Sequence, residues 1–272
     1  MKVDQHTALY GVIGNPVRHS LSPALHNAAF SATALNAVYL AFEAEDIEEC
    51  LRGIKALAIK GISITIPFKT AVIPYLDEID PLARRIGAVN TIVNHNGRLK
   101  GYNTDALGAL KALEEKTKLP GMTCLIIGAG GAARAIGFML KEKGVAISIG
   151  NRSPKRGKEL ARSLECLYLP LDEIGVGKAD ILVQTTPVGM YPHIDQCLIP
   201  EHILEEGMVV MDIIYNPLET RLKKMAAERG CTTINGLRMF IHQGMEQFRL
   251  WTGLSAPLNL IQTVLEEELR TT

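Results

Sequence analysis

Residues 123–153 read TCLIIGAGGAARAIGFMLKEKGVAISIGNRS. An apolar run enters a glycine turn, a helical pattern follows, and a second apolar run ends at a basic turn. The turn has the form Gly128-x-Gly130-x-x-Ala133. In such a unit the first glycine allows the tight turn and the second lets the backbone approach a pyrophosphate. The small third residue lets helix and strand pack closely. The turn therefore predicts a dinucleotide site at Gly128, Ala129, Gly130, Gly131 and Ala132, whose helix-opening amides can hold phosphate. A glycine turn kept for packing alone is the plainer reading, and the strand and helix on either side weigh against it.

The second strand selects the nucleotide. It ends at Asn151, where an NAD enzyme usually carries Asp or Glu for the ribose hydroxyls. Asn151 is neutral and is followed by Arg152, Ser153, Lys155 and Arg156. A carboxylate would repel a 2′-phosphate, whereas guanidinium groups attract it through charge-assisted bonds of about 1.5–3 kcal/mol each. The sequence thus predicts NADP, bound through Asn151, Arg152, Ser153 and Arg156; a solvated basic turn is the competing reading.

Outward from this unit, further strands are expected at ADILVQTT (179–186), GMVVMDII (207–214) and CTTIN (231–235). Strands alternating with helices imply a parallel sheet with right-handed crossovers. The first third alternates in a second style. ALYGVIG (8–14), AVYLAFEA (37–44) and GISITIPF (61–68) read as strands. Residues 22–35 read as a helix capped by Ser22 with Pro23 at its first turn, and residues 46–57 as a helix capped by Asp46. Residues 88–103 read as a hairpin turning at Asn96-Gly97, and 105–119 as a helix. Two helices are expected over 236–253 and 256–270.

Composition narrows the function. Lys plus Arg and Asp plus Glu number 29 each, and aromatics are 5%, so neither a nucleic-acid surface nor a polybasic membrane patch is expected. The five cysteines are scattered without a C-x-x-C, which suits reduced thiols and no zinc cluster. The seven histidines show no ligand spacing, so no metal is expected, and His26 reads as a structural group on the inner side of its helix. The N-terminus has no signal-peptide pattern and no apolar run reaches membrane length, which predicts a soluble cytoplasmic protein.

Small polar groups recur outside the nucleotide unit. They are Ser20 and Ser22 in GNPVRHSLSPALHN, Lys69 after SITIPF, Asn90 in AVNTIV, Asp105 in GYNTD, and Gln243 in HQGMEQF. Each alone has a bland reading as a cap, turn or surface residue. Together they suit a polyhydroxylated carboxylic acid, with one Lys and one Asp able to handle a proton.

From Gly11 to about Gly253 the order of these blocks closely resembles the shikimate dehydrogenase family. The resemblance implies an α/β fold: an N-terminal α/β substrate domain (1–104) completed by C-terminal helices (240–272), and a Rossmann-type doubly wound NADP domain (105–239). It implies Ser20 and Ser22 on the substrate carboxylate, and Thr65, Asn90, Gln243 and Tyr215 around the ring. It implies Lys69 and Asp105 as the catalytic pair. It places Thr185, Thr186 and Val188 under the nicotinamide, with Ile213 and Gly236 also at the cofactor. Many bacterial members carry Asn where this chain has Ser63, and many open the 184–190 segment with Asn-Ala-Thr; plant members use serine at the Ser63 position. The implied activity is reversible NADPH-dependent reduction of 3-dehydroshikimate to shikimate, in chorismate and aromatic amino acid biosynthesis, by a monomer or homodimer.

Three rivals make different demands. An NAD-linked quinate/shikimate enzyme predicts Asp at position 151. A non-catalytic NADP-binding module tolerates loss of Lys69 or Asp105. A folate-type methylene dehydrogenase does not need the serine pair.

Overall fold

The apolar runs become the central strands of two sheets in the computed structural model, which describes residues 3–175 and 178–271. The chain divides into two compact units: Met1–Thr104 with Gln243–Thr272, and Asp105–His242.

The first unit runs β1 (Ala8–Gly14), α1 (Ser22–Ala32), β2 (Ala37–Glu43), α2 (Ile47–Ala56), β3 (Gly61–Ile64), α3 (Phe68–Ala71), β4 (Glu78–Ile79), α4 (Pro81–Ile86), β5 (Thr91–His95) and β6 (Arg98–Tyr102). Its strand order is β2-β1-β3-β5-β6-β4. Strands β2 and β3 lie parallel to β1, and β5 runs antiparallel to β3, with Ser63 opposite Thr91. The β5–β6 hairpin turns at Asn96 and Gly97 with φ of 52° and 90°, the two left-handed residues that the Asn-Gly pair supplies cheaply. One face packs Ile62, Ile64, Ile92 and Leu99 against Leu51 and Ile54 of α2. Each fully buried aliphatic chain contributes roughly 1.5–3 kcal/mol of transfer free energy. Asp46 caps α2 by accepting from the Glu49 amide at 3.0 Å, as the sequence predicts.

The second unit holds α5 (Asp105–Glu114), β7 (Thr123–Ile127), α6 (Gly131–Glu142), β8 (Ala146–Gly150), α7 (Pro154–Leu164), β9 (Leu167–Leu169), β10 (Ile181–Gln184), β11 (Val209–Asp212), α8 (Arg221–Glu228) and β12 (Thr232–Ile234). The strand order is β12-β11-β10-β7-β8-β9, with every pairing parallel. Residues 181–184 and 209–212 are buried throughout, as strands covered on both faces must be. The order reverses between β7 and β10. A ligand in such a sheet binds beyond the carboxyl ends at that switch point. Helix α9 (Gly236–Thr252) contributes residues to both units, and α10 (Leu258–Thr271) belongs to the first.

Several boundaries differ from expectation. Ser22 does not cap α1: the preceding residue is Leu21, and no side chain caps the helix. Ser20 instead accepts from the Ser22 amide at 3.2 Å, because Pro23 behind Ser22 draws Ser22 itself into the first turn. The strand expected over 61–68 stops at Ile64, and Phe68 begins a one-turn helix. Helix α5 ends at Glu114, five residues short of Leu119. Elements α4, α7, α8, β4 and β9 were not foreseen. Three of them carry start signals: Asp80 with Pro81, Ser153 with Pro154, and Thr220, which accepts from the Lys223 amide.

Candidate active site

In the first unit, the sheet brings polar groups of three separated segments into one buried network. Asn90, just before β5, is its hub. Its Oδ1 accepts from the Thr104 amide at 2.7 Å and from Thr91 Oγ1 at 2.8 Å. The side chain is thereby oriented with Nδ2 facing away, towards Thr104 Oγ1 at 3.0 Å and Gln243 Oε1 at 3.5 Å. Asn90 is 2% exposed and Gln243 7%, so the pair lies in a dry setting where hydrogen-bond polarity matters.

A backbone contact ties Lys69 to that hub. The Lys69 carbonyl accepts from the Val89 amide at 2.8 Å, one residue before Asn90. Lys69 itself sits half-buried on α3. Thr104 ends the first unit, and Asp105, next in the chain, opens α5 in the second. Thr65 follows β3, with its amide on the Ile13 carbonyl at 2.9 Å. A Cβ at Gly14 would meet Thr65 Cγ2 at 2.3 Å, so glycine there keeps β1 close to this threonine. Ser20 and Ser22 stand together at the start of α1.

Sequence reasoning missed Tyr39, Thr91, Thr104 and Gln247. Gln247 is 1% exposed and bonds Ser63 Oγ at 3.1 Å, Thr91 Oγ1 at 2.9 Å and His26 Nε2 at 3.2 Å. Tyr39 donates to Ser63 Oγ at 2.6 Å. The available signal was spacing: Gln247 lies four residues after Gln243, on the same side of a helix. His26 is fully buried, stacked on Tyr39 with ring centroids 4.5 Å apart, and burial pushes its pKa down to about 3. It is a neutral core histidine, as the sequence predicts. Burial also raises the Tyr39 phenol, which stays protonated.

In the second unit, Gly128 ends β7 with φ of +117°, and its amide donates to the Gly150 carbonyl at 2.8 Å. A Cβ there would lie 2.3 Å from Thr185 Oγ1. Thr185 donates to the Ile127 carbonyl from both Oγ1 (2.7 Å) and its amide (2.9 Å). The glycine turn and the Thr185–Val188 segment are therefore locked side by side at the switch point. Helix α6 opens at Gly130 with no side-chain cap, and a Cβ at Gly130 or Gly131 would meet nothing within 4 Å. That is open space at a helix N-terminus that no side chain caps, the setting a pyrophosphate needs.

Gln184 organises the neighbouring turn. Its Oε1 accepts from the Thr186 amide at 2.6 Å, and its Nε2 donates to the carbonyls of Thr186 and Val188 at 3.0 and 3.1 Å. Asn151 bends the turn after β8 by donating to the Ser153 carbonyl at 2.9 Å. Arg152 and Arg156 are exposed, and Ser153 precedes α7 without capping it. The turn thus combines two guanidinium groups with a helix N-terminus, and no carboxylate occupies positions 151–156. The residues present fit a 2′-phosphorylated dinucleotide.

Asp212 ends β11 fully buried and holds the next segment. Thr220 Oγ1 donates to it at 2.6 Å and the Ile214 amide at 3.1 Å. Burial raises its pKa, and these two bonds oppose the rise. The segment so held carries Ile213 and Tyr215, whose ring packs on Phe240 at 5.2 Å between centroids.

Comparison with known proteins settles the kinship. Residues 12–92 match the shikimate dehydrogenase substrate binding domain, 110–228 match shikimate / quinate 5-dehydrogenase, and 236–266 match the shikimate 5′-dehydrogenase C-terminal domain. The chain is 45% identical to the shikimate dehydrogenase (NADP(+)) of Moorella thermoacetica, covering 99% of this chain and 96% of that one. The chain belongs to the shikimate dehydrogenase family.

Solved members of the family share the whole fold. A shikimate dehydrogenase crystal structure in complex with NADP+ superposes with a TM-score of 0.96 at 41% identity, covering 98% of each chain. The Thermus thermophilus shikimate 5-dehydrogenase, in complex with NADP(H) and shikimate, gives 0.90 at 36% identity, covering 96% of this chain and 99% of that one. Among the described residues, no helix is long and apolar enough to cross a membrane, and no group of three or more His, Cys, Asp or Glu could hold a metal ion.

Proposed function

We propose that this chain is a shikimate dehydrogenase, interconverting 3-dehydroshikimate and shikimate with NADP(H). The observation that carries the reading is its kinship, over nearly the full length, with an enzyme of that name and cofactor. The basic, acid-free turn at Asn151–Arg156 supports NADP over NAD. The protein works as a monomer or homodimer in the cytoplasm, within aromatic amino acid biosynthesis.

NADPH, when bound, supplies the hydride for the ketone carbon. The protein's task is to hold the acid and manage the proton. Ser20 and Ser22 donate to the substrate carboxylate, helped by the positive end of α1. Thr65, Asn90, Gln243, Ser63 and Tyr215 hold the ring and its hydroxyls. The Lys69 ammonium delivers the proton to the oxygen that gains negative charge, and takes it back in reverse. Asp105 orients that ammonium and stabilises its charge. General acid–base assistance of this kind contributes roughly 10²–10⁴ in rate. Gly128, Ala129, Gly130, Gly131 and Ala132 cradle the pyrophosphate. Arg152, Arg156, Ser153 and Asn151 receive the 2′-phosphate. Thr185, Thr186, Val188, Ile213 and Gly236 line the nicotinamide end.

The test is direct. Purified protein given NADP+ and shikimate should form NADPH; a preparation that is folded and binds NADP+ yet leaves shikimate untouched would overturn the proposal.

A further inference from the structure

One obligate acceptor fixes the proton order around Gln247. The Asn90 carbonyl cannot donate, and it lies 3.3 Å from the Gln247 amide group. Gln247 must therefore turn Nε2 towards that carbonyl and towards Thr91 Oγ1, whose own hydrogen goes to Asn90 Oδ1. Oε1 then faces Ser63 and His26. A carboxamide oxygen only accepts, so both neighbours must donate to it. His26 consequently carries its hydrogen on Nε2, which explains why its buried Nδ1 has no partner among the described residues: it is the bare acceptor of the neutral ring. Ser63 spends its one hydrogen on Gln247. It cannot also donate to Tyr39, so Tyr39 donates to it, at 2.6 Å.

The Ser63 hydroxyl is left with a single lone pair and no hydrogen to offer. We infer that Tyr39 and Gln247 are positioning residues that hold Ser63 as a pure hydrogen-bond acceptor for a hydroxyl of the bound acid, so that the pocket discriminates for a donor group at that point of the ring. This rests on the proposed shikimate reading for the ligand, though the proton order itself does not. The arrangement gives a physical sense to serine at this position. An asparagine could present either end of its amide to the ligand, whereas this serine, gripped from both sides, can present only a lone pair.

Two measurements test it. In the ligand-free protein, NMR of the His26 ring nitrogens should show the neutral tautomer with hydrogen on Nε2; hydrogen on Nδ1 overturns the proton order outright. Binding then reads the consequence. Ser63→Ala and Gln247→Met should each weaken shikimate by roughly five- to tenfold, the scale of one lost hydrogen bond, raising KM by the same factor with little change in kcat. The double variant should bind no more weakly than the worse single one, because Gln247 acts through Ser63. Tyr39→Phe keeps the ring stacked on His26, so it serves where Gln247→Met folds poorly; it should weaken shikimate in the same range. The NADP+ dissociation constant should stay within about twofold throughout, a shift smaller than one hydrogen bond. Additive losses in the double variant, or equal losses for NADP+ and shikimate, overturn the positioning role. If wild type fails to bind shikimate while His26 shows the expected tautomer, the substrate reading falls, the hydroxyl-recognition claim falls with it, and the proton order stands.

Discussion

Gly236 lies against the backbone of Ile213: a Cβ on the glycine would sit 2.0 Å from the Ile213 carbonyl oxygen. Its amide also donates to the Ile214 carbonyl at 3.1 Å. The start of α9 and the segment carrying Tyr215 therefore approach to a distance only glycine permits. Gly236→Ala should push that segment aside, costing roughly 1–3 kcal/mol of stability, as overpacking does. Thermal unfolding should show a lower midpoint, and kcat/KM should fall with it. An alanine variant as stable and as active as wild type would mean this contact positions nothing.

Lys69 and Asp105 are expected to act as a unit on the proton. Lys69→Ala should lower kcat by about 10²-fold or more, with a far smaller change in substrate binding. Asp105→Asn should behave similarly. Near-normal turnover in the lysine variant would remove Lys69 from the mechanism.

The cofactor turn makes a separate prediction. Restoring an acid with Asn151→Asp while removing a guanidinium with Arg152→Ala should erase or invert the preference for NADP over NAD. Comparison of kcat/KM for the two nucleotides measures it. A preference unchanged in the double variant would show that the 2′-phosphate is held elsewhere.

His26 gives a pH dependence with a definite sign. Its folded pKa is lowered by burial to about 3, from 6.5 in the unfolded chain. Below pH 6.5 the unfolded state binds a proton that the folded state refuses, so stability falls as pH drops towards 3. The slope from this one group approaches about 1.4 kcal/mol per pH unit. Urea unfolding at several pH values should show that slope reduced by close to one proton in His26→Phe. Equal slopes in the two proteins would place the histidine in contact with solvent.

Much of the fold was legible because its signals were local. The Asn96-Gly97 turn, the Asp46 cap and the glycine turn at Gly128–Gly130 each depend on a few adjacent residues, and each forms where the sequence puts it. The site was legible as a set of residue types rather than as an arrangement. Nothing near Ser63 in the chain announces Tyr39 or Gln247, which lie 24 and 184 residues away. The misassigned cap has a physical reason too: serine before proline can precede a helix or begin it, and here the hydroxyl of Ser20, two residues earlier, takes the amide instead.

Four parallel assays measure the preference for one acid and one nucleotide: shikimate and quinate, each with NADP+ and with NAD+. Quinate adds a hydroxyl at the carbon bearing the carboxylate and saturates the ring, which in the proposed site would turn the carboxylate away from Ser20 and Ser22. One strained bond to a charged group costs roughly 1.5–3 kcal/mol, or at least about tenfold in efficiency. Shikimate with NADP+ should therefore show the highest kcat/KM, ahead of quinate by at least that factor. Comparable efficiencies for the two acids, or a lead for quinate with NAD+, would contradict the assignment of shikimate and NADP+ to this protein.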